Sequence, residues 1–77
     1  MEFIFKVFEG TGDNKNIIGE PKTYHSLEEV LKEADKRLER YGSYSREDKE
    51  DMHKALMWRG YYGIGWTSAS FELEVIE

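Results

Sequence analysis

The chain has 77 residues, the length of one small domain, and we predict a single domain over residues 1–77. It contains no cysteine, which excludes disulfides and thiolate zinc sites and fits a reducing, cytoplasmic compartment. Its 16 acidic and 11 basic residues give a net charge of −5. That balance disfavours direct binding to nucleic-acid phosphates or to anionic membranes, and it is compatible with a protein partner that has a basic surface.

The first residues, M-E-F-I-F-K, lack the charged and apolar regions of a signal peptide, and no apolar run is long enough to span a membrane. Residues 2–8 predict a strand because they are rich in aromatic and β-branched side chains. Alternation places three apolar residues on one face, namely Phe3, Phe5 and Val7, and two on the other, namely Ile4 and Phe8. Such a strand is typical of the centre of a sheet, covered at least in part on both sides.

A second strand is predicted over residues 17–24, after a polar turn at 9–16, and the two strands should form an antiparallel hairpin. Pro21 cannot donate a hydrogen bond to a neighbouring strand. We therefore expect the second strand at an edge of the sheet.

The first helix begins with a predicted capping box, in which Ser26 and Glu29 satisfy each other's backbone N–H groups. A stripe of apolar residues follows at helical period: Leu27, Val30, Leu31, Ala34, Leu38 and Tyr41. Gly42 is the expected stop.

A second helix over about 46–58 repeats the start signal with Ser45 and Asp48, and Gly60 ends it. Its first turns are almost entirely charged and should stand in water. The residues that can face a core are Met52, Ala55, Leu56 and Trp58.

The end of the chain allows two interpretations. Alternation through 67–75 favours one long strand, whereas a separate strand over 61–66 followed by a turn would make a hairpin. Either way the predicted fold is α+β, a small antiparallel sheet of three or four strands with two helices on one face, in the order β-β-α-α-β(-β). The first helix should cover Phe3, Phe5 and Val7 together with Phe71, Leu73 and Val75.

Three glycines in the segment W-R-G-Y-Y-G-I-G-W have the spacing G-x-x-G-x-G, at Gly60, Gly63 and Gly65. A dinucleotide site needs glycines between a strand and a following helix, whereas here a helix precedes them. We expect no cofactor here: Gly60 ends a helix, and Gly63 and Gly65 permit tight or bulged backbone.

Aromatic side chains around these glycines, with one arginine among them, have the composition of an interface hot spot. Together with the acidic start of the second helix they give the predicted partner-binding set: Trp58, Arg59, Tyr61, Tyr62, Trp66, Glu47, Asp48, Glu50 and Asp51. About half of the four aromatics should close the core instead. Ile4 and Phe8 form a second apolar face that is a candidate for self-association.

Neither histidine supports catalysis or metal binding. We expect His25 to pack beside the start of the first helix, and His53 to lie on a solvated helix face, three residues after Glu50. Di-iron bundles need two Glu-x-x-His motifs and further glutamates, and only one is present. With Ser26 assigned to a cap, no nucleophile and base pair is evident, so we predict no catalytic residues, no metal and no enzyme activity.

The helix pair does not predict a DNA reader, because the acidic start of the second helix would repel phosphates. In size, acidity and lack of catalytic apparatus the chain resembles the small accessory proteins of phages and mobile elements, some of which inhibit host defence enzymes such as CRISPR effectors. No motif carries that likeness, so no residue role is transferred from it.

Three functions stay open on these grounds. The first is a non-enzymatic module that binds a protein and blocks its surface. The second is a homodimer that buries its apolar face against itself. The third is a small-ligand binder with a pocket at Trp58, Tyr62 and Trp66.

Overall fold

The computed structural model describes residues 1–10, 12–65 and 67–77 and has a small α+β fold, as predicted. Its elements in chain order are β1 (Glu2–Glu9), β2 (Asn16–Ile17), β3 (Lys22–Tyr24), α1 (Leu27–Leu38), α2 (Arg46–Arg59), β4 (Tyr61–Gly63) and β5 (Ser70–Ile76). Short 3-10 turns lie at Gly12–Asn14 and Glu39–Tyr41.

The sheet is antiparallel, with β1 and β5 at its centre. The register pairs Phe5 with Leu73 and Val7 with Phe71, so the apolar residues of both central strands share a face. Strand β4 pairs with the outer side of β5, while β2 and β3 both pair with the outer side of β1. The predicted central position of β1 is confirmed.

The predicted second strand is broken into two pieces. Gly19 has φ +72° and Pro21 follows it, so the backbone leaves the extended conformation between β2 and β3. The prediction that this strand lies at an edge is confirmed, whereas the continuous strand over 17–24 was wrong.

Both helices begin at the predicted caps. The Ser26 hydroxyl accepts from the backbone N–H of Glu29 at 3.2 Å, which is one half of the box expected there. At α2 the box is reciprocal, because Ser45 accepts from Asp48 N–H and the Asp48 carboxylate accepts from Ser45 N–H, both at 3.1 Å. Helix α1 ends in the 3-10 turn that precedes Gly42.

The core lies between the helices and one face of the sheet. Its buried residues are Phe5, Val7, Val30, Ala34, Leu38, Met52, Leu56, Ile64, Ala69 and Phe71. Helix α1 lies mainly over β1 and β3, whereas α2 lies over β4 and β5. The expectation that α1 covers Val75 was wrong, because that side chain is 49% exposed at the end of β5.

The end of the chain is a hairpin, so the favoured single strand was wrong and the alternative was right. Strands β4 and β5 are joined by a turn in which Ile64 N–H donates to Ala69 C=O at 2.9 Å. The Thr67 hydroxyl donates to Ile64 C=O and accepts from Ala69 N–H. These bonds close the turn and direct Ile64 and Ala69 into the core.

The three glycines of this segment have different roles. Gly60 ends α2 in the left-handed region, as predicted, with φ +68°. Gly63 is a regular residue of β4, and the Tyr61 phenol lies over it, since a Cβ there would be 3.1 Å from the Tyr61 hydroxyl. Gly65 lies in the turn without a positive φ. Of the tight or bulged backbone predicted for these two positions, the tight turn is present at Gly65, whereas Gly63 pairs regularly with Ser70.

Candidate functional site

Helix α2 has one buried and one fully solvated line of side chains. Met52 and Leu56 are buried against the sheet. Opposite them, positions separated by four, seven and eleven residues form a line along the outer face: Glu47, Asp51, Lys54 and Trp58. We call these four residues, with Glu50 and Arg59 at their sides, the α2 outer surface.

Trp58 is the most exposed large apolar residue in the described part of the chain, at 91%. The expectation that it could face the core was wrong, because helical period turns it away from Met52 and Leu56. A shallow depression of about 520 Å³ lies beside the indole, lined by Asp51, Lys54, Ala55, Trp58 and Arg59. An indole held in water on a regular helix is a rigid anchor that loses little conformational entropy on binding.

Some acidic residues of α2 interact within the helix, whereas others form no ion pair with a described residue. Asp48 is part of the capping box, so its carboxylate is explained by helix stability. Glu50 lies 3.8 Å from Arg46 in an exposed pair one turn apart. Neither Glu47 nor Asp51 forms an ion pair with any residue that the structure describes. The carboxylates free to meet a partner are therefore at the start and middle of the outer line.

The α2 outer surface is not uniformly acidic. Lys54 and Arg59 flank Trp58, while Glu47, Glu50 and Asp51 lie two to three turns earlier. From the helical rise, the indole and Asp51 are about 10 Å apart along the axis, and Glu47 lies about 16 Å away. The surface therefore presents an aromatic end and an acidic end.

The remaining predicted aromatics do not join this surface. Tyr61 is 45% exposed on the side of the sheet opposite the helices, and Tyr62 points to the helix side, where it packs against the core. Tyr62 and Asp48 line a concavity of about 280 Å³ with Ser43, Tyr44 and Gly65. Trp66 lies outside the described residues. The predicted set is therefore divided between two sides of the molecule.

Burial raises the pKa of Tyr62 above its ordinary value, and the Tyr44 phenol and the carboxylates of Asp48 and Asp51 add to the shift. A group whose pKa is higher in the folded chain contributes stability that is present below about pH 10 and lost as the pH rises through the folded value. We expect the free energy of unfolding to fall above about pH 10, and to fall less steeply in Tyr62→Phe. Urea unfolding across this alkaline range measures both slopes, and equal slopes would contradict the assignment.

One of the two histidines departs from its predicted role. His25 is exposed, just before the start of α1. His53 is half-buried, with Nε2 2.7 Å from a carboxylate oxygen of Asp35, and this contact joins α2 to α1. The separation of 18 positions between these two residues gives no local signal in the sequence. Within the described ranges, no three histidine, aspartate or glutamate side chains could together hold a metal ion.

Ile4 and Phe8 lie on the sheet face opposite the helices, where both are partly exposed. The sequence predicted these two residues but not the charged neighbours that accompany them. The Lys15 ammonium lies 4.3 Å from the centre of the Phe8 ring and also pairs with Glu72. Lys6 pairs with Glu74 at 3.4 Å.

The small-ligand hypothesis expected one pocket that joins Trp58 and Tyr62. In the described part of the chain these residues line separate depressions that share no lining residue. A further concavity of about 470 Å³ borders the β4–β5 turn on the Tyr61 side of the sheet. The geometry therefore gives more support to a surface contact at Trp58 than to an enclosed ligand site.

Similarity to known proteins gives no further guide to function. The chain matches no protein-family model, no curated protein and no solved structure. Neither helix in the ranges 1–10, 12–65 and 67–77 has the length and apolarity needed to cross a membrane.

Proposed function

We propose that the protein is a non-enzymatic module that binds a partner protein through the α2 outer surface. The observation that carries the proposal is Trp58, 91% exposed at the aromatic end of the solvated face of a capped helix. Soluble domains normally bury much of each tryptophan, and exposed tryptophans are enriched at binding hot spots. The helix is held by its own cap and by buried Met52 and Leu56. The Trp58 indole is therefore not needed to stabilise the fold and can contact a partner.

The partner's chemistry follows from the spacing along α2. It should offer an apolar pocket for the indole and cationic side chains about 10–16 Å away, opposite Asp51 and Glu47. The net charge of −5 favours approach to a basic surface. A large basic surface on a protein is the electrostatic footprint of a nucleic-acid-binding groove.

Occupation of such a groove would block it without any chemistry. The proposed role is therefore that of an inhibitor that competes with nucleic acid for a partner, as a phage or mobile-element protein would inhibit a host defence or nucleic-acid-processing enzyme. This role depends on the binding surface. A partner without a basic groove would exclude the inhibitory role and leave the binding proposal intact.

The first test compares partners captured from a host lysate on three immobilised baits: the wild-type chain, Trp58→Ala and Ile18→Ala. Ile18 is a matched control because it is also an exposed apolar residue, after β2 at the opposite edge of the sheet. We expect one basic protein to be recovered stoichiometrically with the wild type and Ile18→Ala, and to be lost with Trp58→Ala. Quantitative mass spectrometry gives the ratio.

Titration of that protein then measures the energy of the contact. Truncation of a hot-spot tryptophan costs about 2 kcal/mol or more, which corresponds to about a 30-fold loss of affinity. The free energy of unfolding should change by less than about 0.5 kcal/mol, because the side chain lies in water. Equal affinity of all three forms for the captured protein would contradict the proposal.

Charge reversal tests the contribution of the acidic end of the α2 outer surface. Glu47→Lys with Asp51→Lys should weaken binding of the captured protein and reduce the dependence of affinity on salt, whereas Glu20→Lys, at the opposite edge of the sheet, should change neither. If the double reversal leaves affinity and salt dependence unchanged, the carboxylates do not face a basic surface.

A further inference from the structure

The face of the sheet opposite the helices is uncovered by any described element. Its side chains alternate with those that face the helices, and they belong to Glu2, Ile4, Lys6, Phe8, Ile17, Thr23, Tyr61, Ser70, Glu72, Glu74 and Ile76. We call this set the open face. Ile17, Tyr61 and Ile76 are each more than 40% exposed.

Charges in the middle of the open face are sorted by strand. Lys6 is on β1, and Lys15 reaches over the neighbouring Phe8, whereas Glu72 and Glu74 are on β5. These four charges are paired within the face, because Lys6 pairs with Glu74 and Lys15 pairs with Glu72. The middle of the face can therefore be buried without leaving an unpaired charge, which is the condition that makes burial of charges tolerable. Glu2 lies at the end of the face opposite Ile76, where it is exposed and can stay in water.

We propose that the open face binds a second copy of this chain. A two-fold axis parallel to the strands places β1 of one copy over β5 of the other. Lys6 then faces the glutamate column of the second copy, and the reverse contact is made at the same time. Ile4 of one copy, near the end of the face, lies beside Ile76 of the other.

The sorted charges select this arrangement over the alternative. A two-fold axis that lies in the interface but runs across the strands would place β1 over β1 and β5 over β5. Glu72 and Glu74 would then approach the same glutamates of the second copy. Like charges brought together on burial oppose association. A partner with uniform positive or negative charge would match only one of the two columns.

The size of the face sets the expected strength. The sheet is four strands wide, and its longest shared strand, β5, has seven residues, so the open face measures roughly 20 by 20 Å. This is below the ~800 Å² per partner of a standard interface, so we expect a weak dimer with a dissociation constant on the order of 10–100 µM. Trp58 is in the helix layer on the other side of the molecule, so the α2 outer surface stays accessible in this dimer.

The test is a charge exchange between copies of the full chain, followed by sedimentation equilibrium from about 10 µM to 1 mM. Lys6→Glu alone places glutamates against glutamates, and Glu72→Lys alone places lysines against lysines. Each should weaken self-association at least tenfold. An equimolar mixture of the two should restore the dimer as a heterodimer, because both intermolecular contacts then join opposite charges. Glu28→Lys, an exposed reversal on α1, is the matched control and should dimerise like the wild type.

Thermal unfolding followed by circular dichroism establishes that each variant is folded, because both reversals also place like charges together within the chain. A second measurement needs no variant. Amide shifts of the wild-type chain on dilution should change at β1 and β5 and stay constant at Trp58. A wild-type mass of 9.1 kDa at 1 mM, dilution shifts confined to the helices, or no recovery in the mixture of folded variants would overturn the proposal.

Discussion

Replacement of Phe71 by alanine is expected to lower the free energy of unfolding by about 3–5 kcal/mol. Phe71 is fully buried at the centre of β5 and packs edge-on against Phe5, with ring centroids 5.2 Å apart. It also faces Val7 across the sheet and Tyr62 on β4. Its removal would open a cavity where three strands and the helix layer meet.

The stability lost in Phe71→Ala is large relative to the total free energy of unfolding. A 77-residue domain without disulfides is expected to have only about 4–12 kcal/mol of stability, so Phe71→Ala should remove a large fraction of it. Val75→Ala is the matched control on the same strand, because its side chain is half-exposed and should cost less than about 1 kcal/mol. Urea unfolding at 25 °C measures both. Equal costs for the two variants would mean that the core is not where the structure places it.

Replacement of Gly60 by alanine is expected to cost about 2–4 kcal/mol for two separable reasons. The residue has φ +68°, which disfavours any side chain with a Cβ. The added Cβ would also stand 2.7 Å from the carbonyl oxygen of Leu73. The Leu73 N–H donates to Gly60 C=O at 2.8 Å, so this close approach fixes the end of α2 on β5.

Alanine substitutions at two other glycines distinguish the cost of the positive φ from the cost of the contact with Leu73. Gly19 has φ +72°, but no atom lies within 4 Å of the position that a Cβ would take, so Gly19→Ala should carry only the conformational cost of about 1–2 kcal/mol. Gly65 has neither a positive φ nor a close neighbour, and Gly65→Ala should stay within about 0.5 kcal/mol of the wild type. Thermal or urea unfolding should rank the three costs as Gly60 above Gly19 above Gly65. A cost at Gly60 no greater than at Gly19 would exclude the close contact with Leu73 as a source of stability.

Local signals in the sequence were sufficient for the helices and for β1. Ser26 and Ser45 are followed three residues later by an acidic residue, and both hydroxyls cap their helices because this chemistry acts within one turn. The break between β2 and β3 was harder to predict, since Pro21 indicates an edge but not where pairing stops. The end of the chain was ambiguous because alternation over 67–75 fits a strand as well as a turn closed by Thr67. Only tertiary contacts decide between the two.

The candidate site was predictable in part. Composition singled out Trp58 and the acids of α2, and helical period alone could have shown that Trp58 lies opposite Met52 and Leu56. The separation of Tyr61 from Tyr62 required a strand at that position, because neighbouring residues of a strand point to opposite faces. The contact of His53 with Asp35 and the charge columns of the open face depend on the packing of distant segments, which no local pattern encodes.

The central claim is that the partner lies against the α2 outer surface, and photo-crosslinking tests it most directly. A benzophenone amino acid in place of Lys54, at the middle of the outer line, should crosslink to the captured protein. The same group in place of Glu20, at the opposite edge of the sheet, should not, although both variants should still bind the captured protein. Crosslinking from position 20 and none from position 54, with binding intact, would contradict this placement of the partner.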